Sequence, residues 1–155
     1  RGVPADATRP AGHRHDGVSA ARVSLTASGR GSYPHLRMFK ETLRDLVEGT
    51  EGGLAGLLMD SSGIALESYT KADAPFDINA IGIEFGVVIG QIKRAAEMLE
   101  AGNANEIAVG TDRLITLIRM LGDTYFLALA ITPGGNFGKG RYLMRTAAPK
   151  LMAEL

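Results

Sequence analysis

The sequence predicts an α+β fold, a five-stranded antiparallel sheet covered by helices on both faces in the order α-β-β-α-β-β-β-α. Three observations lead there. Two hairpin signatures occur in tandem after a long helical stretch, and another precedes it. Short turns between successive apolar runs force neighbouring strands to be antiparallel. The strand around Leu117 is apolar at nearly every position, which calls for cover on both of its sides.

The elements follow in order from Met38. Phe39, Leu43, Leu46 and Val47 fall at helical spacing, and Gly49 and Gly52-Gly53 stop that helix. Leu54 to Met59 reads as a short buried strand. Asp60-Ser61-Ser62-Gly63 supplies a turn, with Asp able to bond its own backbone and Gly free to take positive φ. Ile64 to Tyr69 returns as the second strand. Pro75 and Asp77 mark the start of the longest helix, Ile78 to about Ala101, which Gly102-Asn103 closes. Three strands follow, Glu106 to Thr111, Leu114 to Leu121 and Tyr125 to Thr132, joined by Thr111-Asp112-Arg113 and Gly122-Asp123. The last helix carries an i, i+4 stripe of Leu143, Ala147, Leu151 and Leu155, and Pro149 is expected to bend or loosen it, since proline has no amide and crowds the carbonyl of Arg145.

Length and charge set the outer bounds. At 155 residues the chain holds one domain, or one domain and a tail. Lys plus Arg equal Asp plus Glu at 17 each, so net charge recommends neither nucleic acid nor an anionic membrane as partner. No apolar run reaches the roughly 18 residues of a membrane span, so membrane insertion is not expected. Cysteine is absent, which excludes disulfides and thiolate chemistry and fits a cytoplasmic setting. Residues 1–37 hold six arginines (Arg1, Arg9, Arg14, Arg22, Arg30, Arg37) against Asp6 and Asp16, a formal +4 that leaves −4 for the rest. With all three histidines and few large apolar residues, this stretch cannot build a core. It is expected to be a disordered or appended extension, with a basic arm for acidic surfaces as the alternative, and it lacks the apolar centre of a secretory signal. The folded domain is placed at residues 38–155.

The central helix poses the main functional question. On a 100° wheel Ile78, Ile81, Phe85, Val88, Ile92 and Leu99 share a core stripe. Ile83, Val87, Gly90 and Arg94 lie opposite, and Gly82, Gly86 and Gly90 recur every four residues beside them. Each glycine within a helix costs about 1 kcal/mol relative to alanine. Such a ridge admits a close backbone, either that of the helix's own sheet or that of a symmetric partner helix. Exposed Ile83 and Val87 favour the partner, hence a homodimer. Ile107 and Val109, on a short apolar strand expected at a sheet edge, would extend the interface by joining two sheets. Arg94 and Glu97 are the candidates for contact with a further partner.

"ITPGGNFGKGRYLMR" (Ile131 to Arg145) resembles a phosphate loop but fails the test. A G-x-x-x-x-G-K-[ST] motif would need glycine where Pro133 stands and Ser or Thr where Gly140 stands. A dinucleotide fingerprint fails at Leu143. The run is expected to turn the last strand into the last helix, with Asn136 as cap. From Met38 onward there is neither His nor Cys, so imidazole and thiol catalysis are excluded. Ser61 and Ser62 fit turn chemistry, and Asp60, Asp112 and Asp123 all occupy turns. No catalytic, cofactor-binding or metal-ligating residues are assigned.

The stretches "GLLMDSSGIALES", "FGVVIGQIKRAAEMLEAG" and "IAVGTDRLITLIRMLGDTYFLALAITPGGNFGKGRYLMRTAAPKL" resemble the Roadblock and dynein light chain superfamily over essentially all of residues 38–155. The final strand with "PGGNFGKGRYLMRTAAPKL" is similar to the prokaryotic class of mutual gliding-motility protein B, which regulates Ras-like GTPases. These are patterns of small and apolar residues rather than a catalytic signature. The resemblance implies a Roadblock/profilin-like sandwich. It further implies a homodimer whose central helices and joined sheet form a platform for a small GTPase, with no nucleotide bound by the chain itself. A scaffold or motor-adaptor subunit and a small-ligand sensor are the alternative readings.

Overall fold

The hydrophobic periods of the sequence settle into one five-stranded antiparallel sheet with helices on both faces. The elements are α1 (Pro34–Glu48), β1 (Gly53–Asp60), β2 (Ala65–Thr70), α2 (Ile78–Met98), β3 (Glu106–Gly110), β4 (Ile115–Leu121), β5 (Tyr125–Ile131) and α3 (Phe137–Ala153). Strands run in the order β2-β1-β5-β4-β3, so β3 pairs only with β4 and forms an edge, as its place after the long helix predicts. The computed structural model describes Gly2 and residues 34–155. The extension and its basic-arm reading fall outside the described residues up to residue 33, apart from Gly2. Residues 34–37, assigned from sequence to that extension, form the first turn of α1, where Pro34 costs no helical hydrogen bond because its amide would be unpaired there anyway.

Alternation along the strands divides the core into two layers. Phe39, Leu43, Leu46 and Val47 of α1 and Met144, Ala148 and Leu151 of α3 pack on Leu58, Leu117, Leu121, Leu127, Leu129 and Ile131. On the other face Ile78 and Ile89 of α2 meet Ala55, Leu57, Met59, Ile118, Phe126, Ala128 and Ala130. β1, β4 and β5 thus bury side chains in both directions, which is why they read as continuous apolar runs.

Three sequence expectations shift. The buried stripe of α3 is Gly140, Met144, Ala148 and Leu151. Leu143 and Ala147 pack only partly against that core, and Leu155 lies past the helix end at 38% exposure. Pro149 is exposed and α3 continues through it, because its missing bond falls on the solvent side, where water can satisfy the Arg145 carbonyl. Helix α2 ends at Met98, three residues early, since Glu100 (φ 53°) and Gly102 (φ 83°) both take left-handed backbone.

At the β3 edge, Glu106 sits opposite Arg119 in register and forms an ion pair with it at 3.5 Å, while Arg141 of α3 also pairs with the same carboxylate. Arg119 Nε is buried without a hydrogen-bond partner among the described residues, so Glu106 is its main electrostatic compensation. Glu106→Gln is expected to lower stability by about 1–2 kcal/mol, discounted for partial exposure. Arg141→Ala, on a side chain 53% exposed, should cost less than about 1 kcal/mol. Urea denaturation of the two variants checks the order.

Candidate functional site: the outer face of α2 and the β3 edge

Asp77 begins α2, its carboxylate accepting from the Asn79 amide at 2.9 Å, and the helix then crosses the sheet with Gly82 against β1. A Cβ on Gly82 would stand 2.3 Å from Leu57 Cδ2 and 2.9 Å from Met59 Cε. Gly82 is therefore buried against its own sheet and leaves the predicted dimer ridge. This contact rotates the core stripe toward Gly82 and Ile89. Ile78, Ile81, Phe85 and Ile89 pack inward, whereas Val88 and Leu99, placed in the stripe from sequence, are 38% and 77% exposed. Leu99 lies beyond the last helical residue, and Val88 sits on the flank that the rotation lifts away.

The rest of the ridge faces out. Ile83 is 53% and Val87 65% exposed, and a Cβ on Gly86 or Gly90 would meet nothing within 4 Å. Gly86 and Gly90 thus lack the intramolecular reason that explains Gly82. Arg94 and Glu97 are exposed farther along the helix, and Ile107 and Val109 are half-buried on the β3 edge, Ile107 packing partly against the α2-side core.

Two further apolar groups join this face. Met98, 85% exposed, lies eleven residues beyond Val87 and so about 20° from it on the helix wheel. Extending the Ile83 and Val87 stripe would have found it in the sequence. Ile64 is 64% exposed in the β1–β2 turn, next in the chain to Gly63, and a Cβ built on Gly63 would lie 3.8 Å from Ile83 Cγ1. Only folding brings that turn to the helix. Asp60 holds the turn, accepting from the Ser62 hydroxyl at 2.7 Å and from the Ser62 and Ile64 amides at 2.9 Å each. The Ser62 hydroxyl bond, with the amide bonds behind it, keeps the Asp60 pKa below the usual carboxylate value. The Ser62 hydroxyl is committed to this turn, in keeping with the reading of Ser61 and Ser62 as turn residues.

Several amides of the glycine-rich run are engaged within the fold. Gly135 donates to Thr132, Asn136 to Glu51, Phe137 to Gly135 and Gly140 to Asn136, and Lys139 donates to the Asn136 side chain at 2.9 Å. A Cβ on Gly135 would stand 2.4 Å from Ile131 Cγ2 and 2.6 Å from the Glu51 carbonyl oxygen. These glycines let the loop pack between β5 and the α1–β1 corner, with Asn136 as the predicted cap. A polar hollow of about 170 Å3 beyond the end of α2 is lined by Lys93, Glu97, Asn103, Asn105 and Asp123. It is smaller than the roughly 300 Å3 at which ligand pockets begin, and Lys93 Nζ already donates to the Asp123 carbonyl at 2.9 Å. Among the described residues, no group of three or more His, Cys, Asp or Glu is placed to hold a metal ion, and no helix is long and apolar enough to cross a membrane.

Comparison with protein-family models finds no match, and comparison with curated proteins finds none either. Solved structures do match. MglC from Myxococcus xanthus is 37% identical, covering 78% of this chain and 99% of its own, with a TM-score of 0.56. An MglB structure with a tetrameric arrangement superposes at a TM-score of 0.70 with 20% identity, over 79% of this chain and 90% of its own. A Roadblock/LC7 domain from Streptomyces avermitilis gives 0.61 and 14%, over 73% of this chain and 97% of its own. The last two show the fold, whereas the identity to MglC, sustained along almost its whole length, shows kinship. The chain belongs to the Roadblock/LC7 superfamily, in the class of the Mgl proteins.

Proposed function

We propose that this protein is a noncatalytic homodimeric regulator that binds a small Ras-like GTPase in the cytosol and modulates its GTP hydrolysis or exchange. The observation that carries the reading is the outer face of α2, where Ile83 and Val87 are exposed over two glycines with open space above them. Apolar side chains beside a Cβ-free ridge suit close approach of a second helix. Ile107 and Val109 on the β3 edge offer the backbone pairing that would join the two sheets. Arg94 and Glu97 then border the paired helices, where a partner would dock. The MglB relative with a tetrameric arrangement supports self-association as a property of such domains.

Gly86→Leu separates the interface from the fold, because a Cβ at this position meets nothing within 4 Å in the subunit. The variant is expected to keep its secondary structure and to sediment at half the mass of the wild type. An unchanged mass would mean that the ridge plays no part in assembly.

The regulatory reading is tested by single-turnover GTP hydrolysis and nucleotide release by the cognate GTPase, with and without this protein. The expected result is a change of about tenfold or more in one of these rates, which Gly86→Leu abolishes. A GTPase that binds with both rates unaltered would favour the scaffold reading.

A further inference from the structure

The sheet has a second edge, β2, whose outer side faces a groove against α1. The groove has a volume of about 350 Å3 and is lined by Leu36, Arg37, Lys40, Glu41, Arg44, Glu67 and Tyr69. Lys71, just past the strand, donates its amide to the Leu54 carbonyl of β1 at 2.9 Å. Alternation along an antiparallel strand therefore turns the amides of Ser68 and Thr70 outward, away from β1. The outward Ser68 amide is not bare. Glu67 Oε1 accepts from it at 2.9 Å, so a carboxylate oxygen stands where the carbonyl of an added strand would stand.

Charge identifies what would replace it. Glu67 lies opposite Leu58, a residue of the α1-side core, and so projects on the α1 side of the sheet. Of the α1 cations there, Arg37 is held by Glu41 at 3.0 Å, whereas the Arg44 pair with Asp45 is looser at 3.8 Å. Glu41 is committed to Arg37, so if Glu67 moves aside Lys40 and Arg44 are the groove's remaining cations, while Leu36 and Tyr69 supply apolar surface for alternate side chains of an extended chain. A second copy of this protein is a poor occupant, since edge-to-edge pairing of two β2 strands would bring another set of α1 cations against the first.

We propose that the β2 edge and α1 form a docking groove for an extended acidic segment of a partner protein. The segment adds as a sixth strand on the Ser68 and Thr70 backbone, displaces Glu67 from the Ser68 amide, and places a carboxylate between Lys40 and Arg44. Glu67 is then an internal competitor that keeps the edge closed in the free protein. The groove lies at the opposite edge of the sheet from β3, and the proposal does not depend on the GTPase reading.

The test is fluorescence anisotropy on the full chain with a labelled seven-residue peptide alternating valine and glutamate, against its valine-lysine counterpart. The glutamate peptide is expected to bind about tenfold or more tightly than the lysine peptide. Glu67→Ala should tighten binding about threefold or more by removing the competing acceptor. Lys40→Glu combined with Arg44→Glu, at two exposed positions, should weaken it about tenfold or more. Circular dichroism melts establish that both variants are folded. Bound peptide should slow hydrogen exchange at the Ser68 and Thr70 amides. Equal binding of the two peptides, no binding of either, indifference to Glu67→Ala, or protection at β3 in place of β2 each overturns the proposal. Self-association of Glu67→Ala would assign the edge to a second copy and overturn it as well.

Discussion

The depth at which α2 rests on its sheet is the constraint from which the rest of this surface follows. Helix α2 packs on the second face, and at Gly82 its backbone comes so near β1 that a methyl group would overlap Leu57. That approach determines the rotation of the helix about its own axis. With Gly82 and Ile89 turned down, Ile83, Val87 and Gly90 have to turn up. The packing of the interior thus selects which residues are offered outward, because a rigid helix cannot present the two faces independently.

The three glycines of the ridge consequently have different origins. Gly82 is explained within one subunit, by shape, while Gly86 and Gly90 are not. Their helix-propensity cost of about 1 kcal/mol each has no return in the isolated chain, and they lie beside apolar side chains left in water. Glycine recurs in the β5–α3 loop for yet another reason. There it lets backbone pass close to Ile131 and Glu51 while the amides bond within the loop and to the α1–β1 corner, and a phosphate would have to compete for those same amides.

The two sheet edges are managed differently. β3 is short, carries the half-buried Ile107 and Val109, and is anchored by the Glu106, Arg119 and Arg141 cluster on the side away from α2. β2 has its outward Ser68 amide covered by Glu67 and is tied to α1 through the Tyr69 hydroxyl, which donates to Glu48 Oε1 at 2.7 Å. That bond to the carboxylate raises the Tyr69 pKa above its ordinary value. Covering exposed strand amides with charged side chains is a general means of preventing unwanted pairing, and it gives the two ends of the sheet unequal access to partners.

The sequence by itself determined the element order, the antiparallel pairing, β3 as an edge and the entry into the last helix at the Asn136 cap, although Gly138 and Gly140 already belong to that helix; each depends on local turn chemistry and on hydrophobic periods within a single element. It also contained the outward Ile83 and Val87. Other features were decided only by the tertiary structure. Gly82 parted from Gly86 and Gly90, the α2 stripe rotated toward Ile89, the β1–β2 turn at Gly63 came to lie beside Ile83, and Glu67 closed over Ser68. A helix wheel contains no record of how closely a neighbouring strand approaches, and periodicity says nothing about residues brought together from separate elements. Those relations exist only once the sheet is assembled and its side chains have been packed against one another.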